Sequence, residues 1–243
     1  MNYIIIPCFN EEKRISLSEY YNYLQLNPDI SLCFVNDGSS DKTIILLKDI
    51  KAKYNTNVII LSLDKNSGKA EAVRYGVLFC CKNFEFEYIG YLDADLATPL
   101  FEFKILQSKL NNEIEFCFSS RILRIGSEIK RSNFRHFSGR VIASFISWYI
   151  LKISVYDTQC GSKVFTKTLA KKLFNQPFIS KWLFDVELFA RIINIYGKEN
   201  AIKKMYEEPI LKWIDKEGSK VKLSYIFRLC YDLLAIKRNY KNQ

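Results

Sequence analysis

Between Tyr3 and Ser119 five short apolar runs alternate with four longer segments of helical period, and this alternation constrains the fold more than any other feature. The apolar runs are Tyr3–Ile6, Ser31–Val35, Val58–Leu63, Tyr88–Leu92 and Glu115–Ser119; the helical segments are Glu12–Leu26, Lys42–Tyr54, Lys69–Cys81 and Leu100–Leu110. Strand, helix, strand in regular order predicts an α/β fold with a doubly wound, mostly parallel sheet, since parallel neighbours require a crossover connection. Ligands of such sheets bind at the carboxyl ends of the strands. Polar clusters fall at those ends: Asn10-Glu11, Asn36-Asp37-Gly38-Ser39, Asp93-Ala94-Asp95 and Ser120-Arg121. After Arg121 helical periodicity dominates, interrupted by Asp157-Thr158-Gln159-Cys160-Gly161. With no linker composition between the halves, residues 1–243 are expected to form a single domain, with a 1–120 half and a helical 121–243 half.

The residue types at the strand ends suggest their chemistry. Asp93 and Asp95 alternate at the end of a strand, which can turn two carboxylates toward one cleft. Two hard oxygen ligands with open positions suit Mg²⁺ or Mn²⁺ that also binds substrate phosphates. Asp37 ends the second strand, where it could hydrogen-bond a nucleobase, whereas Asp41 is expected to cap the following helix. Asn66-Ser67-Gly68-Lys69 joins a strand to a helix N-terminus, a plausible diphosphate contact through Lys69.

Four motifs in order, Ile6-Pro7-Cys8-Phe9-Asn10-Glu11, Val35-Asn36-Asp37-Gly38-Ser39-Ser40-Asp41, Asn66-x-Gly68-Lys69 and Asp93-Ala94-Asp95-Leu96-Ala97-Thr98-Pro99, resemble the GT-A glycosyltransferases of family 2. The resemblance implies a Rossmann-like GT-A fold with a nucleotide-sugar half and an acceptor half, and a nucleotide-diphospho-sugar donor held through a divalent cation. It implies that Pro7, Glu11 and Asp37 contact the nucleoside, that Lys69 lies near the nucleotide, and that Asp93 and Asp95 serve the metal or sugar-phosphate. In the second half, Asp157-Thr158-Gln159-Cys160-Gly161-Ser162-Lys163, Trp182-Leu183-Phe184-Asp185-Val186-Glu187 and Trp213-x₄-Gly218-Ser219-Lys220 are similar to the branch that glucosylates dolichyl or polyprenyl phosphate. The chain departs from the pattern at Asn36, where a first Asp is common, and at Ser162, where an aromatic is usual.

The resemblance favours UDP-glucose as donor and inversion at the transferred hexose. A lipid phosphate is already anionic near neutral pH, so it needs cations to position it more than a base to deprotonate it. The basic segment from Arg121 to Arg140 supplies cations, and Arg121, Arg131 and Arg135 are the candidates. Arg131 and Arg135 are spaced to share one helix face. Asp157 and Asp185 are candidates either for positioning or deprotonating the acceptor or for buried acids paired with Lys or Arg. The resemblance favours Asp157 on the acceptor side, and Asp185 with Glu187 at the sugar pocket or supporting a loop. Ser219 and Lys220 are expected to close over the diphosphate. A sugar hydroxyl acceptor in glycan synthesis is the alternative, and it would need Asp157 or Asp185 as a strong base.

Charge distribution bears on the partner. The net charge is +10, and all of it lies in residues 121–140 and 219–243, each with six bases against one acid. The second segment overlaps an amphipathic helix expected over Lys222–Lys237, and the first adjoins the apolar Phe137–Tyr156 segment with its Trp148. Basic residues beside apolar helices suit peripheral contact with an anionic membrane face better than nucleic acid, for which no recognition motif is present. No run approaches the ~20 apolar residues of a membrane span, and no leader is evident. Seven cysteines without metal spacing read as reduced thiols, which places the chain in the cytoplasm, at the inner face of the membrane.

Overall fold

The computed structural model describes residues 1–130, 133–214 and 224–240, without the side chains of 133–138 and 224–228. In chain order the strands are β1 (Asn2–Cys8), β2 (Ile30–Asp37), β3 (Val58–Leu63), β4 (Tyr88–Tyr91), β5 (Phe116–Ser120), β6 (Glu128–Lys130), β7 (Lys163–Thr166), β8 (Met205–Pro209) and β9 (Lys212–Ile214). The helices are α1 (Leu17–Leu26), α2 (Thr43–Lys53), α3 (Lys69–Asn83), α4 (Glu102–Gln107), α5 (Asn133–Phe145), α6 (Lys167–Phe174), α7 (Phe184–Tyr196), α8 (Lys198–Lys203) and α9 (Ser224–Asn239). A π-helical turn, Ile146–Leu151, continues α5 and stops at Lys152 in the left-handed conformation.

The main sheet has seven strands in the order β3-β2-β1-β4-β7-β5-β8, and only β7 runs against the others. A small parallel pair, β6 with β9, lies apart from it. The doubly wound, mostly parallel expectation therefore holds. All eight residues of β2 are buried, as in a central parallel strand covered on both faces. Alternation along β1 divides the core: Ile5 packs with Val35, Val73 and Val77 on one face, and Ile4 and Ile6 pack with Phe34, Leu47 and Phe103 on the other. Each such fully buried side chain contributes roughly 1.5–3 kcal/mol.

Several boundaries differ from expectation. The first helix starts at Leu17 rather than Glu12, because Arg14 and Ile15 donate their amides to the Glu11 carbonyl in a preceding turn. The fourth is trimmed to Glu102–Gln107. The 121–243 half is less helical than its periodicity suggests: β7 and β8 from this half enter the main sheet. Four-residue β7 is too short to show a period in the sequence, and its place is set by pairing between β4 and β5. There the rings of Phe116 and Phe165 stack at 4.8 Å and Phe189 of α7 meets Phe118 edge-on at the same distance. That aromatic layer seats α7 beneath the strand ends.

Candidate active site

The carboxyl ends of β1, β2 and β4 meet at one cleft. Asp37, 2% exposed, accepts hydrogen bonds from the amides of Ser67 (2.7 Å) and Gly68 (2.8 Å). Its carboxylate is thus spent on shaping the turn before α3, where Gly68 sits at φ +96° and Lys69 opens the helix. Lys69 reaches across to Asp93, Nζ to Oδ1 2.5 Å. Burial works against the Lys69 charge, but Asp93, Asp185 and Asp95 outweigh it and hold its pKa above the ordinary range. Pro7 is half-buried near the end of β1.

Asp93 and Asp95 are both half-buried and flank Ala94, whose carbonyl accepts the Tyr20 hydroxyl at 2.9 Å. Burial and the neighbouring Asp93 push the Asp95 carboxyl upward. Arg14 bridges outward from there: it pairs with Glu11 Oε1 and lies 3.5 Å from Asp95. Burial raises Glu11 to about 7, against the pull of Arg14 and with help from Asp95. Its Oε2 is buried with no hydrogen-bond partner. Asp93 and Asp95 offer two hard oxygen donors whose remaining partners a substrate diphosphate can supply, which fits a divalent cation; among the described residues no third acid, His or Cys completes the set.

Gly161 explains why the second-half loop can close on this pair. A Cβ at that position would lie 2.2 Å from Asp93 Oδ2. Gly161→Ala must therefore displace either the loop or Asp93. We expect kcat/KM to fall about 10²-fold, the scale of a misplacement near 1 Å; steady-state kinetics at the wild-type value would show that this approach is unimportant.

Asp185, in the first turn of α7, lies under the cleft floor. It accepts from Lys163 Nζ at 2.6 Å and from the Tyr91 hydroxyl, both on the same oxygen. Lys163 is fully buried and also donates to the Cys160 carbonyl at 2.7 Å, tying the Gly161 loop to α7. Glu187 is fully buried and holds Arg191, the Tyr240 hydroxyl and the Ile179 amide. Of the two roles open to Glu187, loop support is the one its contacts describe.

On the far side, Arg121 grips Asp157 through two bonds, Nε to Oδ2 2.6 Å and Nη2 to Oδ1 2.9 Å, and its guanidinium lies 5.3 Å from the Trp213 ring centre. Burial alone would raise the Asp157 carboxyl, but Arg121 overcomes it and holds the group at about 2. A carboxylate with so low a pKa is a very weak base, so Asp157 is a poor candidate for deprotonating anything. Glu207 accepts the amides of Tyr156 and Asp157 and fixes this loop. Beside the pair opens a small cavity lined by Arg121, Arg140, Tyr156, Asp157 and Gln159. Arg140, within the basic segment yet not singled out from sequence, lies over the Tyr156 ring at 3.4 Å and donates to the Tyr156 carbonyl. Arg14 was likewise missed. Its signal was one base three residues after Glu11, which gives no hint of Asp95. Arg131, Ser219 and Lys220 lie outside the described residues, and Arg135 is placed on α5 without its side chain.

Helix α5, which lines this cavity through Gly139, Arg140 and Ala143, also carries an apolar surface. Val141, Ile142, Phe145, Trp148 and Tyr149 are exposed on α5 and its π-helical continuation, Trp148 at 81%. Helix α9 packs beside this segment, exposing Tyr231 and Leu234 and placing Lys237 over the Tyr149 ring at 3.2 Å. Among the described residues no helix is long and apolar enough to cross a membrane.

Comparison with known proteins shows the family and the fold. The model of the family "Glycosyl transferase family 2" matches residues 3–174. The chain is similar to the dolichyl-phosphate beta-glucosyltransferase of Homo sapiens, 30% identical over 256 residues that cover 98% of this chain and 75% of that protein. It is also 30% identical over 253 residues to a dolichyl-phosphate beta-glucosyltransferase of Trichomonas vaginalis, covering 98% of this chain and 73% of that one. Among solved structures it resembles glucosyl-3-phosphoglycerate synthase from Mycobacterium tuberculosis in complex with Mn²⁺, UDP and phosphoglyceric acid. That likeness has a TM-score of 0.71 at 14% identity, over 100% of this chain and 78% of the other. It supports the GT-A fold.

Proposed function

The chain belongs to glycosyl transferase family 2 and is a glycosyltransferase, and from that premise we propose that it transfers a hexose, glucose from UDP-glucose, to a polyprenyl phosphate of the dolichyl type, with inversion, at the cytoplasmic face of a membrane. The observation that carries the acceptor assignment is the arginine-lined cavity whose one carboxylate, Asp157, is already committed to Arg121. A sugar hydroxyl would need a base there. A phosphate needs cations.

In the proposed step an acceptor phosphate oxygen forms the bond to the anomeric carbon from the face opposite the leaving group. The bond from that carbon to the diphosphate oxygen breaks, and the diphosphate departs with the electron pair. No proton has to be removed from the ionised acceptor. Arg140 and Arg121 orient the phosphate, with Arg131 and Arg135 as further candidates on the same basic segment. Lys69 steadies the charge growing on the diphosphate, joined by Ser219 and Lys220. Pro7 and Glu11 border the nucleoside, and Asp37 acts there through the turn it shapes. Asp93 and Asp95 would hold Mg²⁺ or Mn²⁺, which supplies neutralisation of the leaving diphosphate. Asp185 positions Lys163 and Tyr91 beneath the sugar and adds to the negative field around Lys69. The apolar surface around Trp148, flanked by Lys237, rests on the lipid headgroups and lets a lipid-borne phosphate enter the cavity from its own leaflet.

The test is transfer of labelled sugar into organic-extractable product, using purified protein, Mn²⁺ or Mg²⁺, short-chain polyprenyl phosphate and several nucleotide sugars in turn. Labelled lipid from UDP-glucose alone supports the full reading. Hydrolysis of a donor without lipid product moves the acceptor to a saccharide hydroxyl. Arg140→Ala is expected to raise KM for the lipid phosphate 10- to 100-fold, the worth of a charge-assisted hydrogen bond of about 1.5–3 kcal/mol, with KM for the donor little changed. An unaltered acceptor KM would remove Arg140 from the phosphate site.

A further inference from the structure

Three acids crowd the donor cleft, and two cations of the chain itself already face them. Lys69 contacts Asp93, and Arg14 spans Glu11 and Asp95. The two Arg14 contacts are unequal. It meets Glu11 closely, three residues back on the same turn, but stands 3.5 Å from Asp95 on another element. That turn is itself fastened: the Glu11 amide donates to Thr43 Oγ1 at 2.8 Å and the Glu12 amide to Asp41 Oδ2 at 3.1 Å. Arg14 is therefore presented to Asp95 from a fixed base and can leave Asp95 without leaving Glu11.

Resting on the reading of Asp93 and Asp95 as a cation site, we propose that Arg14, with Lys69, is a built-in counter-ion that makes divalent-cation binding depend on the nucleotide diphosphate. A divalent cation arriving alone meets carboxylates whose charge Lys69 and Arg14 already partly offset, with that positive charge a few ångströms away. A diphosphate brings new anionic oxygens for Arg14 and Lys69, and the carboxylates are released to the cation. Cation and diphosphate then bind as a pair, and by linkage each strengthens the other by the same factor. This arrangement disfavours idle occupation of the cleft by a cation without its nucleotide. Arg14 is in this sense a positioning residue for the donor.

The test is Mn²⁺ binding followed by the electron paramagnetic resonance of free Mn²⁺, with and without UDP as the diphosphate probe, each reading corrected for the Mn²⁺ that the same UDP binds without protein. The proteins are wild type, Arg14→Gln and Arg14→Lys. Wild type is expected to bind Mn²⁺ weakly alone and at least about tenfold more tightly with UDP. Arg14→Gln is expected to bind Mn²⁺ alone about tenfold more tightly, since one positive charge near the site is gone, and to lose most of the UDP effect. Arg14→Lys, which keeps the charge, is expected to follow wild type. If wild type shows the UDP effect but Arg14→Gln binds Mn²⁺ alone no better, the counter-ion inference is overturned and the cation site stands. Arg14→Lys behaving as Arg14→Gln also overturns it, because charge would not be the cause. No Mn²⁺ binding by wild type, with or without UDP, overturns both the inference and the site assignment beneath it.

Discussion

Asp95→Asn is expected to lower turnover at least about 10³-fold while leaving the protein at least as stable as wild type. The catalytic loss follows from removing one of two carboxylates available to a divalent cation at the leaving diphosphate, an electrostatic contribution of several kcal/mol in such sites. The stability expectation follows from the environment of the group. Burial and Asp93 raise the Asp95 carboxyl, so the folded state holds its proton more tightly than the unfolded state does. The penalty is absent below the unfolded pKa and grows as pH rises through the folded one, so ionised Asp95 works against folding at neutral pH. Asn keeps an oxygen to accept the Ala97 amide, now bonded at 3.1 Å. Thermal melting at pH 7.5 beside a transfer assay separates the two effects. Near-normal turnover would remove Asp95 from the cation site, and a large drop in melting temperature would mean that its role is structural.

The largest effect on stability is expected at Lys163. Its ammonium is fully buried and bonded to Asp185 and to the Cys160 carbonyl. Lys163→Met leaves Asp185, itself buried, with the Tyr91 hydroxyl and, among the described residues, no cation at bonding distance. Breaking one side of such a pair costs about 3–5 kcal/mol, or roughly 10 °C in melting temperature for a chain of this size. Lys163→Met with Asp185→Asn is expected to recover most of the loss, because the uncompensated buried charge is gone. The paired variant should remain impaired in transfer, since Lys69 loses the field of Asp185. Denaturant titration of the two single variants and the pair measures the coupling. A single variant within 1 kcal/mol of wild type would show that the pair is not shielded from water.

How much of this was legible beforehand differs from residue to residue. Parallel strands, their order of appearance, and the placing of Asp93 and Asp95 after a strand and of Lys69 at a helix start follow from local signals. Short apolar runs, helical period and Gly-containing turns are all encoded within a few neighbours. For Asp37 the sequence suggests a hydrogen bond to a nucleobase, whereas both its oxygens serve the Ser67 and Gly68 amides, some thirty residues away. For Asp157 and Asp185 the sequence leaves acceptor-side and paired roles open, and the ion pairs become visible only with the partners in place. Arg121 meets Asp157 from 36 residues away and Lys163 meets Asp185 from 22. No periodicity reports a salt bridge at such separations.

The sequence by itself therefore determined the class of fold and the family, and it set the strand ends at which the candidate site is proposed, because each rests on short-range pattern and on motifs in order. Tertiary structure alone decided which charges are free. It threaded β7 against the other strands, brought Gly161 onto Asp93 and set Arg14 between Glu11 and Asp95. The physical reason is that burial and pairing depend on what the rest of the chain packs around a group, and the same carboxylate can be a ligand, a base or a strut according to its neighbours.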